Sequence, residues 1–236
     1  VASALNTLTS AQARFLRLLR WHQDIDAPPD LYESEPSIYW RSSRSDQGDN
    51  HHHVSRPIEN NDGVQGIPVP CGIVWNESLE EGLRQLWDSA SNEPIAHELL
   101  REARLLAVSG SSRSALLMAA TAVETGVKDH VGKLRPDTRW ILQNLPSPPI
   151  EKILRKYLPE MHAESTAVAD WTVLSPLWKA CGKLFEARNV TAHSGADTDS
   201  GSVRQHIQTA TDILYVLDVL TGNLWARQRV SDQLRG

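Results

Sequence analysis

The sequence predicts a mainly α-helical protein, an antiparallel bundle of four main helices preceded by a smaller irregular segment that contains a β-hairpin. After residue 92, apolar residues recur every three or four positions almost to the end of the chain, which is the helical period. Before residue 92 the chain is rich in Pro, Asp, Ser and Asn, which interrupt regular structure. This composition break predicts two cores, an accessory segment of residues 1–91 and a helical bundle of residues 92–236.

The accessory segment is expected to contain a helix, a hairpin, a connector and a second helix. Apolar spacing predicts the first helix over residues 9–22 and the second over residues 77–88, with Asn76 or Ser78 as its N-cap. Between these helices, residues 37–41 and 53–58 flank the turn-forming run 46–50, which predicts the hairpin. Residues 63–75 contain several Gly and Pro residues and are expected to form an extended connector.

The helices of the bundle follow from apolar spacing and from their end signals. Pro94 suits a helix start and Gly110 a helix end, and Ser194 with Gly195 ends a later helix in the same way. The expected helices cover residues 94–109, 112–131, 150–158, 175–193 and 203–229. One side of the second of these carries only small residues, which let a neighbouring helix approach closely: Ala115, Ala119, Ala122 and Gly126.

Composition excludes several classes of protein. The 236 residues carry a net charge of −5, with 7 basic and 15 acidic residues in 1–100 but 13 basic and 9 acidic residues in 101–193. The locally basic middle leaves room for an anionic ligand on one face. Two cysteines, the absence of any long apolar run and a start without the layout of a signal peptide predict a cytoplasmic protein with no membrane span.

Several familiar catalytic and cofactor signals are absent from the sequence. It has no Gly-rich phosphate loop, no G-x-S-x-G, no H-E-x-x-H and no Cys pair at zinc spacing, so we expect neither a metal nor a cofactor. The run 51–53 of three histidines is interpreted as a solvated part of the hairpin rather than a metal site. Four tryptophans at amphipathic positions are expected in the core or an interface rather than as base-stacking platforms: Trp140, Trp171, Trp178 and Trp225.

The most informative stretch is Arg188-Asn189-Val-Thr-Ala-His193-Ser-Gly195. Arg followed by His with four to six residues between them also occurs at Arg17/His22, Arg44/His51 and Arg155/His162, so this spacing alone has no value. Asn189 and His193 are four residues apart and share a helix face, where the amide can orient the imidazole. The cluster therefore combines a cation, an amide and a titratable ring at a helix C-terminus, although a helix-ending His beside a surface Arg remains the alternative.

Residues 92–229 resemble the HEPN superfamily, an all-helical fold of higher-eukaryote and prokaryote nucleotide-binding domains. The resemblance rests on Arg188-Asn189-x-x-x-His193-x-Gly195, which is similar to the family's R-N-x-x-x-H motif. It also rests on residues 102–124, a helix, a Gly break and an Ala-rich helix ending in Ala-x-Glu, as in the stand-alone, abortive-infection-like branch. The resemblance covers nothing before about residue 76.

The resemblance implies a metal-independent endoribonuclease with a defence or toxin-like role, acting as a homodimer whose two motifs face one cleft. The implied catalytic residues are Arg188, Asn189 and His193, with RNA as substrate and its own 2′-hydroxyl as the attacking group. The family position of Glu124 suggests a supporting carboxylate, although Glu124 and Lys128 also form an ordinary i,i+4 pair. An antidote or regulatory protein is a further implied partner.

Two matters stay open at the level of sequence. Three basic residues are candidates for an extended RNA track, and each is equally compatible with a solvated surface position: Arg113, Lys183 and Arg204. The alternative function is a non-catalytic HEPN module that dimerises or binds a nucleotide or a protein, in which Arg188 and Asn189 stabilise an interface and residues 1–91 contact a partner.

Overall fold

The computed structural model describes residues 2–26, 76–144, 148–163, 171–196 and 198–234. Helices account for 83% of these residues, and no strand occurs among them, which confirms a mainly α-helical protein. The helices are α1 (Ala2–Gln23), α2 (Glu77–Asp88), α3 (Ile95–Val108), α4 (Ser112–Leu134), α5 (Arg139–Asn144), α6 (Ile150–Lys152), α7 (Leu158–Met161), α8 (Ser175–Ser194) and α9 (Ser200–Leu220). A π-helical turn, Ile153–Tyr157, joins α6 to α7. The predicted hairpin, the connector and the histidine run lie outside the described residues.

Helix ends follow the end signals in the sequence at several places. The Asn76 side chain accepts a hydrogen bond from the Leu79 backbone N–H at 2.9 Å and so begins α2. α8 ends because Gly195 adopts the left-handed conformation, with φ of 65°, which glycine reaches without steric cost. The last long helix is shorter than predicted. It ends at Leu220, since Gly222 has a φ of 103° that an α-helix cannot contain, and a separate 3₁₀ helix, Leu224–Arg229, follows.

The bundle is formed by α3, α4, α8 and α9, which pack against one another around α4 and α9. Residues 210–220 of α9 are buried on every face, so this helix runs through the centre of the protein. The small-residue side of α4 is part of the same core. Ala115, Ala119 and Ala122 are fully buried, and a Cβ at Gly126 would collide with the Leu214 side chain of α9. The stripe therefore serves helix packing within the chain.

Helix α1 belongs to the same structural unit as the bundle, which differs from the predicted boundary near residue 92. Residues 1–26 and 76–236 form one compact unit. Leu18 and Trp21 of α1 and Leu83 of α2 are buried in the same hydrophobic cluster as α3, α4, α8 and α9. The physical reason is that the apolar side of α1 packs against the bundle and is buried there. The polar composition of the chain around α1 predicted a separate core instead.

Buried polar contacts fix α1 in place. The Glu93 carboxylate, which precedes α3 and is fully buried, accepts a hydrogen bond from Arg20 Nε of α1 at 2.7 Å and is also paired with Arg101. The Trp21 indole N–H donates to Asp218 of α9 at 2.9 Å. Buried charges and indoles are costly without partners, so these bonds define one position for the helix.

We expect Leu18→Ala to destabilise the whole bundle and not only its N-terminal helix. Truncating a buried leucine costs about 2–5 kcal/mol in the free energy of unfolding. Urea unfolding followed by circular dichroism should show one transition at a lower midpoint. Ala substitution of the exposed Arg17 is the control and should leave the midpoint within about 0.5 kcal/mol of the parent. A variant in which most of the helix unfolds at the parent midpoint would show that α1 is an independent appendage.

Three buried histidines are held neutral by the fold. Burial, with a smaller effect of Arg229, lowers the pKa of His22 to about 4, and His22 stacks on Trp225 with ring centroids 4.5 Å apart. Burial and the neighbouring His162 lower the pKa of His130 to about 4. The His130 and His162 Nε2 atoms are 2.9 Å apart, and burial also lowers the pKa of His162.

We expect the free energy of unfolding to rise as pH increases from about 4 to about 6.5. In this window the unfolded chain binds protons on His22 and His130 and the folded chain does not, so acid favours unfolding. These two histidines each contribute on the order of 3 kcal/mol, fully present above about pH 6.5, and His162 acts in the same direction. Chemical denaturation at several pH values measures the slope. His130→Gln should reduce it, while Ala at the exposed His193 should not; an unchanged slope in His130→Gln would contradict this account.

Candidate functional site

The motif residues lie on the last two turns of α8. Pro176 lies in the first turn of this helix, where its missing N–H costs nothing, and the Gly195 N–H closes the last turn on the Thr191 carbonyl at 3.0 Å. Asn189 and His193 are exposed, while Arg188 is half-buried. Asn189 and His193 are one turn apart, separated by about 6 Å along the helix axis.

The structure pairs Asn189 with Arg188 rather than with His193. Arg188 Nη1 donates a hydrogen bond to Asn189 Oδ1 at 3.0 Å. Among the described residues, none lies within hydrogen-bond distance of the His193 ring. The expected orientation of the imidazole by the amide is therefore not present in this conformation, and the ring is left accessible to a ligand.

A cleft with a volume of about 470 Å³ brings two of the motif residues together with Glu124. This volume is within the range of small-ligand sites, about 300–1,000 Å³. The lining residues are Glu124, Pro148, Pro149, Ile150, Glu151, Lys152, Gly182, Phe185, Glu186, Arg188 and Asn189. His193 is not among these lining residues and lies on the same helix, one turn beyond the cleft.

Glu124 shares the cleft with Arg188, but its carboxylate is already paired. Lys128 Nζ lies 2.6 Å from Glu124 Oε1, in the i,i+4 arrangement that the sequence also allowed. Both side chains are partly exposed, so the pair contributes little to stability. The structure therefore places Glu124 beside the motif without giving it a direct hydrogen bond to Arg188 or Asn189.

The three candidate RNA-binding residues occupy different positions. Arg113, near the start of α4, donates from Nη1 to the Gly195 carbonyl at 3.1 Å and so lies against the end of the motif helix. Lys183 is exposed on α8. Arg204 is exposed on α9 and donates to the Ser200 carbonyl of its own helix at 3.3 Å. Only Arg113 thus contacts the motif segment directly.

Sequence reasoning missed the wall of the cleft that precedes α8. Pro148, Pro149 and Ile150 supply apolar surface there, and Phe185 of α8 adds an aromatic ring. Glu151 and Glu186 add carboxylates, and Glu151 is paired with Arg155 at 3.0 Å. One signal was present in the sequence: Phe185 is three residues before Arg188 and therefore on the same side of the helix.

None of the helices in the described residues combines the length and apolar character that crossing a bilayer requires. No group of three or more His, Cys, Asp or Glu side chains within the described ranges is arranged to hold a metal ion.

The fold and the cleft define a helical-bundle protein with a polar ligand-sized site beside an exposed histidine. No protein-family model matches the chain, no curated protein matches it, and no solved structure matches it.

Proposed function

We propose that the chain is a metal-independent endoribonuclease of HEPN type with a defence or toxin-like role. The observation that carries the proposal is the cleft in which α8 presents Arg188 and Asn189 beside Glu124, with the exposed His193 one turn further along the helix. This arrangement offers a cation, an amide and a proton-exchanging ring to one bound phosphodiester.

In this proposal the RNA 2′-oxygen attacks the adjacent phosphorus and the bond from phosphorus to the 5′-oxygen breaks. The products are a 2′,3′-cyclic phosphate and a 5′-hydroxyl. His193 removes the 2′-hydroxyl proton or delivers one to the departing oxygen, because imidazole exchanges protons near neutral pH. Arg188 stabilises the charge that builds on the phosphoryl oxygens, which its planar guanidinium fits. Asn189 orients Arg188 through their 3.0 Å hydrogen bond and contacts phosphate.

A homodimer is part of the proposal because each chain carries one copy of the motif, and the family resemblance implies two copies facing one cleft. In the proposed dimer, Val190 of α8, which is 57% exposed, lies in the contact with the second copy. Val108, at the end of α3, is also exposed. An antidote or regulatory protein stays an expectation from the family resemblance.

One observation favours the alternative function, a non-catalytic dimerisation or ligand-binding module. Arg188 and Asn189 bond to each other, and neither is bonded to His193. In that case Arg188 would stabilise an interface between copies, and no RNA would be cleaved.

We expect His193→Ala and Arg188→Ala each to slow RNA cleavage at least ~100-fold, the usual effect of losing a proton-transfer group or a charge-stabilising donor. Gel analysis of a labelled RNA gives the rates, and end-group analysis should find 2′,3′-cyclic phosphate. Deoxyribose at the cleaved position should abolish cleavage because the attacking hydroxyl is absent. Excess chelator should have no effect, since the proposed chemistry uses no metal.

The matched controls are Ala substitutions of His206, half-buried on α9, and of Arg84, exposed on α2. Both should keep the parent rate. His22 and His162, which share the Arg-to-His spacing, are buried and would test folding instead. Equal rates of cleavage by His193→Ala and the parent, or a requirement for magnesium, would contradict the proposed mechanism. If no RNA is cut and Arg188→Ala dissociates the dimer, the alternative module is correct.

We expect Val190→Asp to weaken self-association without unfolding the chain, because it places a charge in the proposed apolar contact. Light scattering over a range of micromolar concentrations measures the dimer fraction. Leu224→Asp, which alters another exposed apolar residue, is the control and should leave the dimer intact. A parent protein that stays monomeric throughout that range would remove this part of the proposal.

A further inference from the structure

An exposed cluster of basic and apolar residues lies where α4 ends and α5 begins. We call it the α4–α5 patch; its members, all exposed, are Lys133, Leu134, Arg135, Arg139, Trp140 and Ile141. Trp140 is 71% exposed and Ile141 57%. Of the four tryptophans expected in the core or an interface, Trp178 is buried and Trp171 and Trp225 are half-buried, so Trp140 departs from the others.

The backbone of the patch is held in a defined turn. A short 3₁₀ helix, Pro136–Thr138, joins α4 to α5, and the Thr138 hydroxyl donates to the Arg135 carbonyl at 2.8 Å. Asn144 Nδ2 donates to the Trp140 carbonyl at 2.8 Å. Gly132 leaves room for Arg139, whose Nε lies 3.5 Å from the position of a Cβ on that glycine. Trp140 is therefore presented from an ordered scaffold.

The charge of the patch contrasts with the net charge of the chain, which is −5. Arg135 and Arg139 are exposed and precede Trp140 in the chain, and Asp137 is the one acidic residue between them. Lys133 is paired with Asp129 at 2.6 Å, so it contributes less than the two arginines to the positive charge of the patch. Exposed guanidinium groups and an exposed aromatic ring on one short segment complement a polyanion that carries flat rings.

We propose that the α4–α5 patch is a docking site for single-stranded RNA, with a base stacked on Trp140 and phosphates bound by Arg135 and Arg139. Aromatic stacking and cationic contacts are the usual elements of single-strand binding. The inference rests on the proposed function in its choice of RNA as the ligand. A membrane surface fits less well, because lipid-binding clusters carry about four to eight basic residues and α5 has only six residues to form an apolar face.

The patch lies within reach of the cleft. Trp140 and Asn144 are one helical turn apart, about 6 Å along α5. Asn144 and Pro148, which lines the cleft, are four residues apart, so their Cα atoms are separated by at most about 14 Å. The Cα atom of Trp140 therefore lies within about 20 Å of the cleft wall, and the proposal has one RNA strand contact both.

Binding of a fluorescent 2′-O-methyl RNA of about 12 nucleotides, measured by anisotropy, tests the proposal without cleavage. Trp140→Leu should weaken binding about 5-fold to 150-fold, the effect of losing one base-stacking platform. Trp140→Phe keeps an aromatic ring and should retain most of the affinity. Arg139→Gln should lower the slope of log affinity against log salt by about 0.7, the value for one phosphate contact on a single strand.

Trp87→Ala and Arg84→Gln on α2 are the matched controls, since both side chains are exposed and lie outside the patch. Each should bind RNA like the parent. Circular dichroism should show unchanged folding in all variants, because the substituted residues are on the surface. RNA binding that depends on Trp140 supports the patch even if the protein cuts no RNA. Cleavage that persists with binding unaffected by the patch variants would keep the proposed function and overturn this inference.

Other outcomes also overturn it. A parent protein that does not bind the RNA, or a Trp140→Leu variant that binds as tightly as Trp140→Phe, would contradict base stacking. Trp140-dependent binding to vesicles of phosphatidylserine and phosphatidylcholine, without binding to RNA, would assign the patch to a membrane surface. Loss of self-association in Trp140→Leu, measured by light scattering, would assign it to an interface between copies.

Discussion

Two buried carboxylates on α9 determine how the other parts of the protein are arranged. Asp212 and Asp218 lie in the stretch of α9 that is buried on every face, where an ionised group without hydrogen-bond donors would be very costly. Asp218 accepts from the Trp21 indole of α1 and lies 2.9 Å from His97 Nε2 of α3. Asp212 accepts from the backbone N–H and the hydroxyl of Ser231, each at 2.9 Å. Helices α1 and α3 and the C-terminal tail are thus held by one central helix.

The sequence predicts the helices well because their signals are local. The apolar period, the helix caps and the glycine that ends α8 each act within a few residues. For this reason α2 and α8 begin and end close to the predicted positions. Long-range pairing leaves no such signal. Trp21 and Asp218 are 197 residues apart, and nothing near either residue indicates the other. The small-residue stripe of α4 likewise predicts a close helix contact but not which helix makes it, and at Gly126 the neighbours are Leu214 of α9 and Ala96 of α3.

The sequence likewise predicts the local features of the candidate site but not its long-range contacts. The i,i+4 relation of Asn189 and His193 and the exposed helix end follow from local spacing, whereas the bond from Arg188 to Asn189 depends on the rotamers that the surroundings select. The apolar wall of the cleft comes from residues that lie some 40 positions before the motif, so helix patterning could not join them. The exposure of Trp140 could not be predicted from its residue type either, because Trp140 follows a 3₁₀ turn that places it on the surface.

In the proposed function, the charges around the cleft assign the attraction of RNA and its cleavage to different groups of residues. Three carboxylates and two cations line the cleft, so by itself it attracts a polyanion weakly. Glu124 and Glu151 are offset by Lys128 and Arg155, which reduces the repulsion without creating a positive field. Phosphate attraction must then come from cations beyond the cleft, and the proposed α4–α5 patch offers two exposed arginines, Arg135 and Arg139. If both proposals hold, salt acts mainly on binding at the patch, while the proposed chemical step depends on the few groups at the end of α8.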